Sequence, residues 1–291
     1  MSSKFMKEIF KFSLDDLKTK WGLFATLFGI VSVVVPDFKI YFFLFFLFIC
    51  WSVWLLFSNW KLLKQKVIDV EPRSNRNFYI MVDDFIENFK YKLQHLDKED
   101  KSFSVALGID QSLDLSKVSS GSMLEDFLVY LQNEHQISKS QLQLEINAAR
   151  QKQISDKIVF GDIVHVPMRF SEKEVNLLFV VNSYKKEVDS IIRNDLIEGE
   201  DSRIIIIKLF KKCRKLKLST LMLGAIGTNK LEFPYKIIIT EIINAYVYCV
   251  EKGHEPKRVY LSLREQDMNE QELESREIIS YITQAMKFNS I

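Results

Sequence analysis

The sequence predicts an α/β protein, with an N-terminal two-helix transmembrane hairpin followed by a mixed-sheet α/β/α sandwich. Two long apolar runs without a charged residue lie near the N-terminus, at 21–35 and 40–60. From residue 78 onward, short apolar runs alternate with longer stretches of helical periodicity, which is typical of a mixed sheet covered by helices. Only nine glycines occur in 291 residues, and two of them, Gly224 and Gly227, lie between a predicted strand and a predicted helix.

The two apolar runs have lengths that suit membrane-spanning helices. Residues 40–60 form a run of 21 residues, which is about 31 Å as a helix and matches a hydrocarbon core of about 30 Å. Residues 21–35 cover about 22 Å and span with the help of snorkelling by Lys20 or local thinning of the bilayer. Trp21 and Trp60 stand where interfacial anchors are expected. A signal peptide is disfavoured because the first run has no small-residue cleavage site and the second run follows at once.

Lysines flank the hairpin on both outer sides, whereas the connecting turn holds one aspartate and one lysine. By the positive-inside rule, the N-terminus and the large C-terminal part both face the cytoplasm. The first twenty residues also show helical apolar spacing, which predicts either an amphipathic helix on the inner leaflet or a solvated tail. The flanking lysines are Lys4, Lys7, Lys11, Lys18 and Lys20 before the hairpin, and Lys61, Lys64 and Lys66 after it.

Composition excludes several classes of function. A formal net charge of +2 gives no signature of a nucleic-acid-binding protein. The three cysteines have no paired spacing, and the four histidines are scattered without ligand spacing, so neither a disulfide framework nor a metal site is predicted. The hairpin carries no charge within its apolar runs, which disfavours a proton relay or a transported substrate.

The domain organisation follows from these patterns: a membrane segment at 1–60, a polar linker at 61–77 and a folded domain at 78–290. Within the domain, Ser122 is the predicted N-cap of an amphipathic helix. Predicted strands cover 78–82, 103–110, 157–167, 175–184, 218–223 and 258–263, and predicted helices cover 122–134, 201–215, 234–252 and 269–287.

Two loops combine glycine with a following helix. The stretch "LGAIGTNK" at 223–230 follows a predicted strand, and "SSGSM" at 119–123 opens a predicted helix. Glycine lets backbone approach a phosphate, and helix N-termini stabilise its charge. Each loop alone is also compatible with an ordinary structural turn. Together they predict a site for a diphosphate-bridged ligand at the carboxyl ends of the strands.

The same stretches resemble a known family. "TLMLGAIGTNKLEFP" is similar to the late phosphate loop of macro domains, the ADP-ribose-binding fold, and "SVALGIDQSLDLSKVSSGSMLEDFL" and "VFGDIVHVP" are similar to elements of a bacterial subfamily. A macro-domain-like sandwich behind two membrane helices resembles the effectors of type II Thoeris antiphage systems. This resemblance implies a multi-pass protein of the bacterial inner membrane that binds an ADP-ribose-derived signal, forms homo-oligomers and disrupts the lipid bilayer to cause abortive infection. It also implies a TIR-domain partner enzyme that makes the signal, expected to be histidine-linked ADP-ribose.

The resemblance assigns site residues by position. Asp83 and Asp84, after the first strand of the domain, would accept a hydrogen bond from the adenine amino group, although carboxylates are also common at helix N-termini. The two glycine loops would hold the diphosphate and the distal ribose, through Ser119, Ser120, Gly121, Ser122 and Met123 in the first and Gly224, Ala225, Ile226, Gly227, Thr228, Asn229 and Lys230 in the second.

No catalytic residue is predicted. "INAAR" at 146–150 and "GDIV" at 161–164 are similar to signatures of hydrolytic macro domains, but they occur in the reverse order. We therefore interpret the first as part of a helix and the second as part of a hairpin strand. A triple-glycine loop is also missing. The sequence therefore favours ligand binding without turnover, with no cofactor, over two alternatives: a membrane-tethered hydrolase of ADP-ribosyl or NAD derivatives, and a scaffold without a ligand.

Overall fold

The computed structural model describes residues 67–69, 77–96, 102–154, 157–170, 173–188, 191–195, 199–226 and 235–264. The predicted hairpin at 21–60 and the predicted terminal helix at 269–287 lie outside this part of the chain. Among the described residues, no helix combines the length and apolar character that crossing a membrane requires. The described residues from 77 onward belong to one compact unit.

The described chain contains eight strands and five α-helices. The strands are β1 (Val67–Asp69), β2 (Asn77–Val82), β3 (Phe103–Asp110), β4 (Ile163–Phe170), β5 (Lys173–Val188), β6 (Ile191–Asp195), β7 (Thr220–Gly224) and β8 (Arg258–Leu263). The helices are α1 (Phe85–Gln94), α2 (Met123–His135), α3 (Lys139–Gln153), α4 (Gly199–Lys215) and α5 (Tyr235–Lys252), with a short 3-10 turn at Leu115–Lys117.

These strands form one mixed sheet in the order β1-β2-β8-β7-β3-β5-β4, with β6 paired to β5. Strands β2, β8, β7, β3 and β5 run parallel to one another, and β4 and β6 run antiparallel to β5. The predicted mixed sheet is therefore confirmed. Because five parallel strands end at the same edge, the residues that follow them meet there although they are far apart in sequence.

Helices cover both faces of the sheet. Phe103 is in register with Thr220, Thr220 with Arg258, and Arg258 with Asn77, so Phe103 and Asn77 lie on one face and Phe78 lies on the other. On the first face, Phe89 of α1 packs against Phe103, Phe127, Tyr130 and Phe170 at ring-centroid distances of 5.2–6.0 Å.

On the opposite face, Tyr246 of α5 contacts Phe78 at 4.8 Å and Phe210 of α4 at 6.2 Å between ring centroids. All of these aromatic residues except Tyr130 are essentially inaccessible to solvent. The domain is therefore a three-layer α/β/α sandwich.

Several element boundaries differ from the predictions. The predicted strand at 157–167 begins only at Ile163, because Gly161 adopts a left-handed φ of 81° and the Asp162 carboxylate accepts a 2.8 Å hydrogen bond from the Val159 amide, which closes a turn. Strand β5 is longer than predicted, β6 is additional, and β1 lies within the predicted linker. The helical interpretation of 146–150 is confirmed by α3.

Candidate ligand-binding site

The end of β2 turns directly into α1 through two aspartates. The Asp83 amide donates to the Leu263 carbonyl at 3.2 Å, which joins the ends of β2 and β8. Asp84 is the N-cap of α1, and its Oδ1 accepts from the Ile86 amide at 2.8 Å. Oδ1 of Asp83 accepts from the Asp84 amide at 2.9 Å. The alternative of a helix N-terminus is therefore confirmed for Asp84, which stabilises α1 by satisfying one of its free amides.

A buried asparagine that the sequence analysis missed holds this corner together. Asn88 is fully buried, and its Nδ2 donates to the Ser262 hydroxyl at 2.8 Å, to the Asp83 carbonyl at 3.3 Å and to the Met81 carbonyl at 3.4 Å. It lies next to Phe89 and three residues after Phe85, on the apolar face of α1. A polar residue at that position of an amphipathic helix is the signal that could have identified it.

The loop between β3 and α2 is anchored at its base. Asp110 Oδ1 accepts from the Ser112 amide at 2.7 Å. The Gln143 side chain from α3 donates to the Leu113 carbonyl at 2.9 Å and accepts from the Leu115 amide at 2.7 Å. These bonds satisfy loop backbone groups that no strand or helix pairs, and they hold the loop against α3.

The tip of this loop is exposed and ends at a well-formed cap. Gly121 has a φ of 72°, the left-handed conformation that glycine adopts without strain. The Ser119 carbonyl accepts from the Ser122 amide at 3.2 Å, and Ser122 Oγ accepts from the Glu125 amide at 3.2 Å. The predicted N-cap role of Ser122 is confirmed. Ser119, Ser120 and Gly121 stand exposed before the start of α2.

The predicted loops meet at Gly224, the last residue of β7. A Cβ atom placed on Gly224 would stand 2.6 Å from Sδ of Met123 and 3.6 Å from Cδ2 of Phe85. The Ile226 amide donates to the Gly224 carbonyl at 2.9 Å, which turns the chain tightly after the strand. The ends of β2 and β7 and the start of α2 therefore converge. The remaining predicted residues of the second loop, Gly227, Thr228, Asn229 and Lys230, lie outside the described residues.

Charge at this edge is mixed. Burial raises the pKa of the Asp126 carboxyl in the first turn of α2; the neighbouring carboxylates of Asp84 and Glu125 add to the increase, and Arg264 opposes it. Arg264 follows β8 and was not predicted as a site residue. It brings a permanently charged guanidinium to the carboxyl edge of the sheet, where the predicted site lies.

The far end of the same edge has a second close approach. A Cβ atom on Gly108 of β3 would stand 2.6 Å from Nδ2 of Asn182 and 3.1 Å from Cγ2 of Ile226. Asn182 lies near the carboxyl end of the region of β5 that pairs with β3, and Ile226 follows β7. The contact therefore brings together three neighbouring strands on the β5 side of Gly224.

Two cysteines and two histidines of the described part of the chain are buried or hydrogen-bonded within the fold. Burial raises the pKa of the Cys213 thiol to about 12 and that of the Cys249 thiol to about 11, which disfavours the nucleophilic thiolate. His135 bonds the Tyr130 hydroxyl at 2.8 Å, and His165 bonds Asn176 Oδ1 at 2.7 Å. No cluster of His, Cys, Asp and Glu among the described residues has the arrangement of a metal site.

Comparisons with known proteins return similarity in structure only. No protein-family model matches the sequence, and no curated protein does. The chain resembles solved structures of macrodomains. An Oceanobacillus iheyensis macrodomain variant with ADPR is 8% identical, with a TM-score of 0.48, over 76% of this chain and 97% of that one.

Two further macrodomain structures are similar to the chain at the same level. The Oceanobacillus iheyensis macrodomain with ADP is 9% identical, with a TM-score of 0.45, over 76% of this chain and 95% of that one. A Trypanosoma brucei macrodomain in complex with ADP-ribose is 9% identical, with a TM-score of 0.45, over 71% and 73% of the two chains.

Proposed function

We propose that this protein is a membrane-anchored sensor whose α/β/α domain binds an ADP-ribose-derived nucleotide. The observation that carries the proposal is the convergence of Gly224 with Met123 and Phe85. This contact brings the two predicted glycine loops close to the end of β2, which is followed by Asp83 and Asp84, the residues predicted to bind adenine. The motif resemblance to macro domains supplies the nucleotide class.

The convergence suits a diphosphate. Met123 packs where a side chain of Gly224 would stand, and this close packing brings the N-terminus of α2, with its favourable dipole, beside the end of β7. The exposed Ser119 and Ser120 offer hydroxyl donors. Arg264 contributes positive charge at this edge of the sheet. Acidic residues in the first turn of α2 oppose this attraction, so recognition depends on directed hydrogen bonds more than on net charge.

Adenine recognition is assigned to the two aspartates at the end of β2. Backbone amides hold both side chains in place, since Oδ1 of Asp84 caps α1 and Oδ1 of Asp83 accepts from the Asp84 amide. Asp83 stands at the turn itself, braced by the Asn88 amide on its carbonyl oxygen. A carboxylate held at this strand end accepts a hydrogen bond from an exocyclic amino group.

The remaining parts of the proposal come from the predicted hairpin at 21–60 and from the resemblance to Thoeris effectors. A TIR-domain partner makes the signal from NAD, and the domain binds it from the cytoplasmic side of the bacterial inner membrane. Binding promotes self-association, and the clustered hairpins disrupt the bilayer, which stops the infected cell. The ligand is bound and not turned over.

Binding and assembly are tested on the full chain in lipid nanodiscs or detergent. We expect calorimetry to detect ADP-ribose or its histidine-linked form, and light scattering to show a larger particle when the nucleotide is present. Asp83→Asn weakens binding, and Asp201→Asn, an exposed carboxylate of α4, serves as the matched control. Absence of binding up to about 1 mM nucleotide, equivalent to about −4 kcal/mol, would overturn the proposal.

Membrane disruption and turnover need separate measurements. Liposomes that contain the protein should release a trapped dye only when the nucleotide is added. Incubation with an ADP-ribosylated peptide or NAD, followed by chromatography, tests the hydrolase alternative: release of free ADP-ribose would replace binding without turnover by catalysis.

A further inference from the structure

We propose that Asn182 recognises the end of the ligand that lies beyond the diphosphate, so that the site distinguishes ADP-ribose from ADP. This inference rests on the proposed function, because it assigns one further contact in the same site. It comes from the order of the strands, from a bulge in β5 and from the hydrogen bonding of one buried amide.

The order of the strands fixes the order of the ligand's parts. Along the carboxyl edge, the end of β2 with Asp83 comes first, then β8, then β7 with Gly224, then β3, then β5 with Asn182. Neighbouring strands lie about 4.8 Å apart and residues along a strand about 3.3 Å apart. Gly224 is level with Phe179 of β5, so Asn182 lies about 10 Å from Gly224 across the sheet and about 10 Å further along the strand direction. A ligand with its base beside β2 and its diphosphate beside β7 therefore extends its remaining sugar towards β3 and β5.

A bulge aims Asn182 at this position. Ile109 of β3 is in register with Val181, but Asp110 is in register with Ser183, so Asn182 is the extra residue that the register skips. Bulges re-aim side chains and are frequent beside functional sites. The Asn182 amide nitrogen lies over Gly108, whose missing side chain makes the space, and the Ile226 side chain closes the other side.

The Asn182 amide has unused hydrogen-bonding capacity. Asn182 is only 7% exposed, and its side chain makes no hydrogen bond within the part of the chain that the structure describes. Asn176, six residues earlier on the same strand and 4% exposed, bonds both His165 and the Phe103 carbonyl. The polar atoms of Asn182 are not among the fully enclosed side-chain atoms that lack a partner, so they retain contact with solvent. A ligand hydroxyl that both donates and accepts would satisfy the amide of Asn182.

The test compares ADP-ribose with ADP on the full chain and on Asn182→Leu, which keeps the size of the side chain and removes the amide. We expect the affinity for ADP-ribose to fall about tenfold, as for the loss of one hydrogen bond, while the affinity for ADP stays unchanged. Gly108→Ala should produce the same selective loss, because its methyl group displaces the side-chain amide of Asn182 although Asn182 itself is not substituted. Asn133→Leu, at an exposed position of α2, is the matched control.

The outcomes separate the two proposals. An equal loss for both nucleotides, or no loss for either, overturns the role of Asn182 and leaves nucleotide binding standing. A wild-type chain that binds neither nucleotide overturns the proposed function and this inference with it. If Asn182→Leu unfolds, as judged by circular dichroism, Gly108→Ala gives the deciding measurement.

Discussion

A methyl group added at Gly224 tests how tightly the strand end and the start of α2 meet. The new carbon would stand 2.6 Å from Met123 Sδ and 3.4 Å from its Cε. Because non-bonded heavy atoms rest at about 3.5–4.0 Å, the sulfur has to retreat by about 1 Å. Methionine adapts through three rotatable bonds, so we expect Gly224→Ala to lower the free energy of unfolding by about 1 kcal/mol, the low end of overpacking costs.

A second substitution isolates this contact. Met123→Ala removes the obstructing side chain, so in the double variant the methyl group at 224 meets no sulfur. We expect the double variant to be about 1 kcal/mol more stable than the sum of the two single effects. Unfolding of all four proteins in one detergent, followed by circular dichroism, measures the coupling. Additive effects would refute the contact between Gly224 and Met123.

The same four proteins separate packing from ligand recognition. If Gly224 is required for close approach of a diphosphate, its methyl group weakens nucleotide binding even when Met123 is absent. Loss of one charge-assisted hydrogen bond costs about 1.5–3 kcal/mol, which is roughly 10- to 150-fold in the dissociation constant. Wild-type affinity in the double variant would refute close backbone approach at this position.

Three further substitutions probe the support of the site and the fold. Asn88→Ala should lower the free energy of unfolding by about 2–3 kcal/mol, because it leaves the buried Ser262 hydroxyl and two carbonyls without their donor; unchanged denaturation would contradict this. Gly121→Ala should cost about 1–2 kcal/mol through its left-handed backbone alone, since nothing lies within 4 Å of the added methyl group, and a larger loss would reveal an unseen contact. Burial lowers the pKa of His135, so the unfolded chain binds a proton more readily. Stability should therefore fall as pH drops below about 6.5. His135→Gln should flatten that profile in thermal melts at several pH values, and an identical profile would exclude His135 as its source.

Much of the fold could be predicted because the pattern of apolar residues is locally consistent. Strands β3 and β8 match their predicted ranges, and α2 begins at the predicted cap, since alternation and capping are properties of neighbouring residues. The start of β4 was predicted six residues too early. The apolar Ile158 and Val159 suggest a strand, and only the left-handed Gly161 and its turn reveal that they are not part of one.

Site residues could be predicted where a glycine in a local loop pattern marks close backbone packing. They could not be predicted where the contact joins residues that are far apart in the sequence. Gly224 and Met123 were both identified from local loop patterns, and their contact is observed. Arg264 and Asn88 were missed because their relevance depends on the position of β8 beside β2. That pairing joins residues more than 170 positions apart, and no local pattern encodes it.

The position of β8 also constrains how the protein is made. The second strand, β2, leaves the ribosome early, but its parallel neighbour β8 is the last of the described strands to be synthesised, and it lies between β2 and β7. Strand pairings this distant in sequence form late in folding. The end of β2, with Asp83, can therefore come together with the end of β7, with Gly224, only after residue 263 has been translated. A growing chain therefore cannot assemble the proposed nucleotide site before β8 has been synthesised.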